Sequence, residues 1–468
     1  MVTLPLYPPP LLREGEIIIE EGAKPPLRHP NEAGDWGQSP YRAGGWEKRD
    51  KLKTWVGLGY RFPNISLKFL DFRPLLLLEF EFKKDGKMAA PEFKQLRRSY
   101  GFDEVAIVPG DITTNPDQTN IDFKIDNFTF STPILAAAMD AVTDVNMATL
   151  MSKLGGLAVL NLEGVQTRYA HPQEVLAEIA QASDAEVTHL LQRVYSEPIK
   201  ENLIGERIEA IKKSGAVCAV SVAPANTKRF APIAAEAKAD IFVVQSTVTS
   251  AKHISKSYRG LIFPELRQSI PIPIIVGNCV SYSACLELMR TGISGVLVGV
   301  GPGAACTTRQ VLGVGVPQVT ATMDCAAARD EYLRQSGRYV AVITDGGIGN
   351  GGDLCKAFAA GADAVMLGSI LARAKEAPGL GYHWGMSHPH PALPRGTRIK
   401  VGTSGTLEQI LFGPTSITDG SQNLIGALRT AMGVCGVLNI REMHKVEMVI
   451  APAITTEGKS WQISQSSP

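Results

Sequence analysis

The chain has 468 residues, of which 44% are hydrophobic and 20% charged, and its formal net charge is +1. This length and composition are typical of a globular enzyme with one large domain and accessories, or of two to three ordinary domains. The small net charge argues against a nucleic-acid-binding protein, whose binding face needs an excess of basic residues. No apolar run is long enough to cross a bilayer, so we expect no membrane partner.

The N-terminal segment differs in composition from the rest of the chain. Residues 1–87 contain many prolines, three of the five tryptophans and charge clusters such as WEKRDKLK, with no sustained periodicity. Prolines and glutamates in its first part do not fit a signal peptide. We expect 1–87 to be a poorly ordered leader and 88–468 to be the catalytic domain. A docking or targeting segment is the alternative.

The seven cysteines are scattered and form no CxxC pair. Such a pattern is typical of reduced thiols, and we expect a cytoplasmic protein. Six of them lie in apolar or helical patterns and are interpreted as packing residues. These six are Cys218, Cys279, Cys285, Cys325, Cys355 and Cys435.

Eight short apolar runs alternate with helical patterns from about residue 130 onward. Continuous apolar runs are typical of parallel strands that are covered on both faces. Eight strand–helix units predict a (β/α)8 TIM barrel, with a doubly wound open sheet as the alternative. The runs span residues 133–139, 155–161, 216–224, 239–247, 272–278, 293–301, 339–347 and 362–369.

Two segments are longer than a plain barrel requires. The gap at 162–215 predicts extra helices, one of them over 172–181. After the eighth strand, a C-terminal loop and helix extension is expected over the barrel mouth. In it, 383–396 reads as a loop, and 423–436 as a helix with Leu424, Leu428 and Ala431 on its inner side.

The stretch GVGPGAACTTRQVLGVGVPQ places one cysteine, Cys306, behind a run of very small residues. A packing cysteine normally has large apolar neighbours, and none is present here. Glycines allow the backbone to adopt positive φ and to approach a ligand closely. The pattern therefore indicates a nucleophilic thiol that faces a small anionic ligand.

Glycines and hydroxyls follow the seventh and eighth runs, where barrels commonly bind phosphate. The backbone N–H groups of Gly346, Gly347, Gly368 and Ser369 suit a phosphate. Asp345 would repel a phosphate, so it is expected to accept hydrogen bonds from ribose hydroxyls. Together they favour a nucleoside monophosphate; the alternative is that the glycines only permit tight turns.

These stretches resemble the IMP dehydrogenase/GMP reductase family from about residue 97 to 450. The resemblance favours the branch that lacks CBS domains and is called IMP dehydrogenase-related. It rests on GFDEVAIVPGD, MDAVTD, GVGPGAACTTR with GVGVPQ, ITDGGIGNGGDLCKAFAAGADAVMLGS, and EAPG followed by GMS.

The resemblance implies a chemical role for several residues. Cys306 would attack C2 of the purine, and a hydride would pass between C2 and NAD or NADP, with a covalent thioimidate as the intermediate. Thr308 matches the threonine that helps to activate water or ammonia, and Asp345 matches the ribose-binding aspartate. The remaining nucleotide contacts fall on Gly346, Gly347, Gly368, Ser369, Tyr382, Gly385, Met386 and Ser387.

The resemblance also implies a cofactor side and a cation site. Asn278 and Gly299 match positions at which enzymes of the family bind the nicotinamide. Gln245 stands in place of an aspartate that the family pattern has after the fourth strand. The family's purine-nucleotide enzymes form homotetramers, which we expect here. A monovalent-cation site for K+ would use the carbonyls of Gly301, Gly303 and Cys306.

Several departures from the family pattern bear on the activity. The 162–215 gap is too short for paired CBS domains. Ala137 and Ala304 replace serines, each removing a hydrogen bond worth about 0.5–1.5 kcal/mol.

The largest departure is in the flap. HPHPALP replaces the dehydrogenases' long flap and its Arg-Tyr pair, which serves hydrolysis, and Arg395 or a near neighbour replaces the reductases' glutamate. These changes favour GMP reduction to IMP and ammonia over IMP oxidation to XMP. An inactive nucleotide-binding sensor is the further alternative.

Overall fold

The structure is a computed structural model that describes residue 94 and residues 96–256, 259–385 and 398–452. The prediction for residues 1–87 lies outside the described residues and stays a prediction.

Eight parallel strands form a closed barrel, which confirms the (β/α)8 prediction and excludes the open sheet. Each strand pairs with its neighbours in sequence, and β8 closes onto β1 through Val365 opposite Ile134. The strands are β1 Ile134–Ala136, β2 Leu157–Asn161, β3 Ala219–Val222, β4 Ile241–Gln245, β5 Ile274–Cys279, β6 Gly295–Val298, β7 Ala341–Asp345 and β8 Ala364–Leu367.

The helices between the strands cover the outside of the barrel. Polar side chains begin several of them: Asp144 accepts a hydrogen bond from the Met147 amide at 2.8 Å and so caps α1. The helices are α1 Val145–Lys153, α2 Pro172–Gln181, α3 Val187–Ser196, α4 Glu201–Lys213, α5 Pro224–Glu236, α6 Phe263–Ser269, α7 Tyr282–Arg290, α8 Thr308–Leu312, α9 Gln318–Ser336, α10 Gly351–Ala359, α11 Leu407–Phe412, α12 Leu424–Val434 and α13 Ile440–Met443.

Alternate strand residues point into the barrel and fill it. Leu135, Val243 and Ile343 belong to this inner cluster, and the intervening residues pack against the helices. A hairpin of strands Phe123–Ile125 and Phe128–Phe130 adds its aromatic side chains to the same inner cluster. Since each fully buried aliphatic side chain contributes about 1.5–3 kcal/mol, the sealed interior makes a rigid platform for the loops.

The predicted insertion after β2 is helical, and α2 spans the predicted residues 172–181. Helices α2 and α3 form a small hydrophobic cluster of their own with Trp384. Trp384 is fully buried, so the start of the C-terminal extension is anchored on this insertion.

The C-terminal extension has a part beside the mouth and a part on the flank. Strand Tyr382–His383 pairs with Ile399–Lys400, and His383 contacts Ser369, which follows β8. The predicted helix is α12, in which Leu424 and Leu428 are buried and Ala431 packs at the edge of the core.

On the flank, α12 packs against α10. The final strand, Met448–Ile450, pairs with Val105–Ile107. Among the described helices, none combines the length and the hydropathy that a membrane span needs.

Candidate active site

Three polar side chains meet at the carboxyl ends of β4, β5 and β7. Asn278 Nδ2 donates to Asp345 Oδ2 at 2.8 Å, and Gln245 Nε2 donates to the same oxygen at 3.0 Å. Gln245 Nε2 also lies 3.3 Å from Asn278 Oδ1. The amides of Gln245 and Asn278 therefore orient the Asp345 carboxylate, an arrangement that sequence reasoning did not foresee.

The environment of Asp345 changes its protonation. Burial raises the pKa of this carboxyl to about 6, against the hydrogen bonds from Asn278 and Gln245, which lower it. The charged form loses hydration in the site, and two amide donors replace only part of it. Asp345 therefore changes charge close to neutral pH.

Cys306 lies on the loop that follows β6 and keeps partial exposure to solvent. Its amide donates to the Gly303 carbonyl at 2.9 Å, which closes a tight turn just before the thiol. Its Sγ donates to Oγ1 of the buried Thr308 at 3.1 Å. When the thiol is ionised, the same hydroxyl is placed to donate to the thiolate, so Thr308 and Cys306 act as a pair.

The loop that carries Cys306 requires glycine where it meets the Asp345 turn. Gly299 has φ +153°, and a Cβ there would lie 2.2 Å from the Asp345 carbonyl oxygen. Gly346 has φ +85°, and a Cβ there would lie 3.2 Å from Pro302 Cγ. The thiol loop and the aspartate turn are therefore in van der Waals contact.

Two residues that sequence reasoning gave no role hold this loop in place. Arg309 Nε donates to the Val300 carbonyl at 3.1 Å, and its Nη2 donates to the Val316 carbonyl at 2.6 Å. Gln318 is buried, and its Nε2 donates to the Val298 carbonyl at 2.6 Å. In the sequence, the only indication of a role for Arg309 and Gln318 was that they lie inside the motifs GVGPGAACTTR and GVGVPQ.

Of the residues predicted to hold phosphate, Gly346 and Gly347 follow β7, and Gly368 and Ser369 follow β8. Ser369 Oγ is 3.1 Å from His383 Nε2, and a Cβ at Gly368 would lie 3.0 Å from Met139 Sδ. Burial lowers the pKa of His383, so its imidazole is neutral at pH 7. The Arg398 guanidinium lies 4.2 Å from the centre of the Tyr382 ring and holds this edge of the mouth.

The structure describes only part of the predicted nucleotide segment. Met386, Ser387 and Arg395 lie outside the described residues, and Gly385 is the last residue described before them. A Cβ at Gly385 would lie 3.5 Å from the Ala305 carbonyl oxygen, so this end of the segment adjoins the thiol loop.

Glu376 and Glu408 are the glutamates to consider as a substitute for the reductases' glutamate, which Arg395 or a near neighbour replaces in this sequence. Glu376 Oε2 accepts the Leu407 amide at 2.9 Å, which ties it to the start of α11. Glu408 lines a surface pocket with Thr132 and Gly155, which precede β1 and β2. Glu408 therefore lies at the amino end of the barrel, opposite the Cys306 end.

The three carbonyls predicted to bind a monovalent cation, those of Gly301, Gly303 and Cys306, lie on the loop after β6, and this cation site stays a prediction. The Gly303 carbonyl also accepts the Cys306 amide at 2.9 Å and keeps a second lone pair. Hard cations are normally held by about six or more oxygens. We derive no step through a cation.

A closed (β/α)8 barrel with a thiol, a hydroxyl and an aspartate at the carboxyl ends of its strands defines an enzyme of the barrel class. The family model for the IMP dehydrogenase / GMP reductase domain matches residues 99–386, more than half of the chain. The chain belongs to the IMP dehydrogenase/GMP reductase family and is an oxidoreductase.

Individual relatives agree with this assignment. An uncharacterized oxidoreductase of Mycolicibacterium smegmatis is 38% identical over 76% of this chain and 97% of its own. The crystal structure of an IMP dehydrogenase/GMP reductase-like protein from Corynebacterium glutamicum is 37% identical, with a TM-score of 0.73, over 77% of this chain and 96% of that one. The inosine-5'-monophosphate dehydrogenase of Cryptosporidium parvum is 28% identical over 78% of this chain and 94% of its own.

Proposed function

We propose that the protein is a nicotinamide-dependent oxidoreductase that acts at C2 of a purine nucleoside monophosphate through Cys306. The observation that carries the proposal is the placement of a partly exposed thiol 3.1 Å from the Thr308 hydroxyl, on a loop in contact with the Asp345 turn. That arrangement sets a nucleophile and a ribose acceptor on adjoining surfaces.

The chain's own residues account for binding and covalent catalysis. The ionised Asp345 accepts hydrogen bonds from the ribose hydroxyls, while Gln245 and Asn278 keep its carboxylate oriented. The Cys306 thiolate adds to C2 of the purine, and Thr308 donates to that thiolate before attack. In the tautomer that carries its proton on Nε2, the neutral His383 donates to Ser369 Oγ, and the serine hydroxyl can then donate to the phosphate.

The cofactor supplies or accepts the hydride at C2. We assign its side of the mouth to Gln245, Asn278 and Gly299, with the two amides in contact with each other and with Asp345. Gln245 is the more exposed of the two amides and borders the mouth.

Two observations bear on the direction of the reaction. Three relatives named inosine-5'-monophosphate dehydrogenase are matched over 94%, 94% and 98% of their own lengths, which favours oxidation of IMP to XMP. The short segment after Ser387, without an Arg-Tyr pair, favours reduction of GMP to IMP and ammonia. We place IMP oxidation first, because the second argument concerns residues that the structure does not describe, and keep GMP reduction as the second candidate.

Absorbance of the reduced nicotinamide tests direction and cofactor together. Purified protein is given IMP with NAD+ or NADP+, and separately GMP with NADH or NADPH. A rise with IMP assigns the dehydrogenase, and a fall with GMP assigns the reductase. Nucleotide binding without either signal would contradict the proposed activity and favour a sensor.

Replacement of the thiol tests the covalent step. Cys306→Ala should abolish turnover while nucleotide affinity measured by calorimetry changes less than about tenfold, since ribose and phosphate contacts lie elsewhere. Cys355→Ala, at a cysteine on α10 and away from the mouth, is the control and should keep turnover. Turnover that survives in Cys306→Ala would overturn the proposal.

A further inference from the structure

Three cysteines that the sequence analysis interpreted as separate packing residues meet at one point. Cys279 is the last residue of β5, Cys285 lies in α7 and Cys325 lies in α9. Their Sγ atoms all lie within 4.8 Å of one another, and none of the three residues is more than 2% exposed. Three separate elements therefore bring three soft donors to one buried point.

The spacing of the sulfurs suits a three-coordinate ion. A metal–sulfur bond of about 2.3 Å in trigonal geometry places the sulfurs about 4 Å apart. Closing the group from 4.8 Å or less therefore takes small side-chain rotations rather than backbone movement. In the described part of the chain, no histidine or carboxylate joins the three thiols at this distance.

The donor set also limits the kind of ion. Structural zinc sites almost always take four ligands, and oxygen-loving cations do not bind thiols. Thiolates select soft ions, of which Cu(I) accepts three sulfurs.

We propose that Cys279, Cys285 and Cys325 form a buried three-sulfur site for Cu(I). Binding joins the metal to three sulfurs, releases any thiol protons that are displaced and involves no change of oxidation state. The proposal does not depend on the reaction assigned to Cys306.

The site lies directly behind the catalytic mouth. Cys279 follows Asn278, which donates to Asp345 at 2.8 Å, and the Cys279 carbonyl accepts the Gly299 amide at 3.1 Å. A bound ion therefore ties the end of β5 to α7 and α9 at the point where the thiol loop begins. We expect Cu(I) to raise the melting temperature, because three sulfurs that the fold already brings together bind it more tightly than the separated thiols of the unfolded chain.

The test uses the full chain with Cys306→Ser, which removes the exposed thiol as a competing ligand. Cu(I) is added as its acetonitrile complex in oxygen-free buffer, against bicinchoninate as competitor. One copper per chain should stay with the protein, and X-ray absorption should show three sulfurs at about 2.3 Å.

Matched variants locate the site. Adding Cys285→Ser should release the copper, whereas adding Cys355→Ser, at another buried helix cysteine, should retain it. Full release to the competitor from the Cys306→Ser protein, or equal retention in both double variants, would overturn the proposal. Preferential retention of zinc would do so too. If Cys285→Ser does not fold, a copper shell of nitrogen or oxygen in the Cys306→Ser protein is the overturning result.

Discussion

The indole Nε1 of Trp384 donates to the hydroxyl of Tyr195 at 2.7 Å, and that hydroxyl donates to Asp140 Oδ2 at 2.6 Å. All three side chains are buried. The chain of hydrogen bonds joins the end of β1 to helix α3 and to the residue before Gly385. The helical insertion therefore positions the start of the predicted nucleotide segment as well as covering the barrel.

Tyr195→Phe should weaken both the fold and nucleotide binding. It leaves the buried Trp384 N–H without its acceptor, which costs about 1–3 kcal/mol in the free energy of unfolding. Because Gly385 follows Trp384, KM for the nucleotide should rise more than kcat falls. Urea unfolding and steady-state kinetics measure the two effects.

The matched control is Tyr169→Phe in the same region. Its hydroxyl donates to the Val194 carbonyl at 3.1 Å but the residue is only half-buried, so water can replace the contact. Its effect on unfolding should be smaller. Equal losses in the two variants would contradict the positioning role of Tyr195.

Asp345 predicts a pH dependence of binding and of stability. Its folded pKa of about 6 lies above the ordinary 3.8, so the folded state holds this proton to higher pH than the unfolded state. The stability that Asp345 contributes is therefore present at low pH and is lost as pH rises through about 4 to 6. The affinity for the nucleotide should change with pH in the opposite direction to the stability. Only the ionised carboxylate accepts hydrogen bonds from both ribose hydroxyls, so the affinity should increase as pH rises through 6.

Calorimetry with the nucleotide from pH 5 to 8 checks this dependence. The nucleotide phosphate also titrates near pH 6. The Asp345→Asn variant is therefore the control, because in it the phosphate still titrates while residue 345 does not. The variant should bind about tenfold or more weakly at pH 8, from the loss of charged hydrogen bonds. Identical pH profiles for the two proteins would rule out the role given to Asp345.

Gly299→Ala should misplace the thiol loop. A Cβ would lie 2.2 Å from the Asp345 carbonyl oxygen, a backbone atom that the barrel holds in place. Turnover should fall at least about a hundredfold, and the melting temperature should drop. Gly313→Ala is the control: it has φ +65° with open space around the Cβ, so only the left-handed conformation costs it about 1–2 kcal/mol. A larger loss of turnover in Gly313→Ala would contradict this account.

Arg309→Lys should disorder the loop that carries Cys306 without destabilising the fold. The guanidinium spans the Val300 and Val316 carbonyls, and an ammonium reaches one of them at a time. Turnover should fall about tenfold while urea unfolding changes by less than about 1 kcal/mol. Alkylation of Cys306 by iodoacetamide in the absence of nucleotide should change in rate, since the loop is less ordered. An unchanged alkylation rate together with unchanged turnover would show that Arg309 has no such role.

Much of the barrel could be predicted from apolar runs, because strands buried on both faces read as continuous hydrophobic segments. The ends of the strands could not be predicted from these runs. The run at 216–224 contains a strand of only four residues, Ala219–Val222, because the residues on either side of it form loop and helix. The insertion was visible as excess length between two strands.

The positions of two candidate site residues could be predicted. Loop composition and strand ends pointed to Cys306 and Asp345, which lie after β6 and at the end of β7, while their roles stay predictions. The contact of Gln245 and Asn278 with Asp345 depends on side-chain directions across three strands, which no local pattern carries. The meeting of Cys279, Cys285 and Cys325 is likewise set by helix packing rather than by spacing in the chain.

The close packing of Pro302 on Gly346 and Gly347 limits how such an enzyme can change its substrate. Any side chain added at Gly346 or Gly347 pushes on the loop that carries Cys306. Under the proposed function, selectivity for the sugar and reactivity toward the base are therefore inherited together. The loops after β1 and β8 are linked in a similar way, since a Cβ at Gly368 would lie 3.0 Å from Met139 Sδ and Asp140 is joined to Trp384 through the Tyr195 hydroxyl.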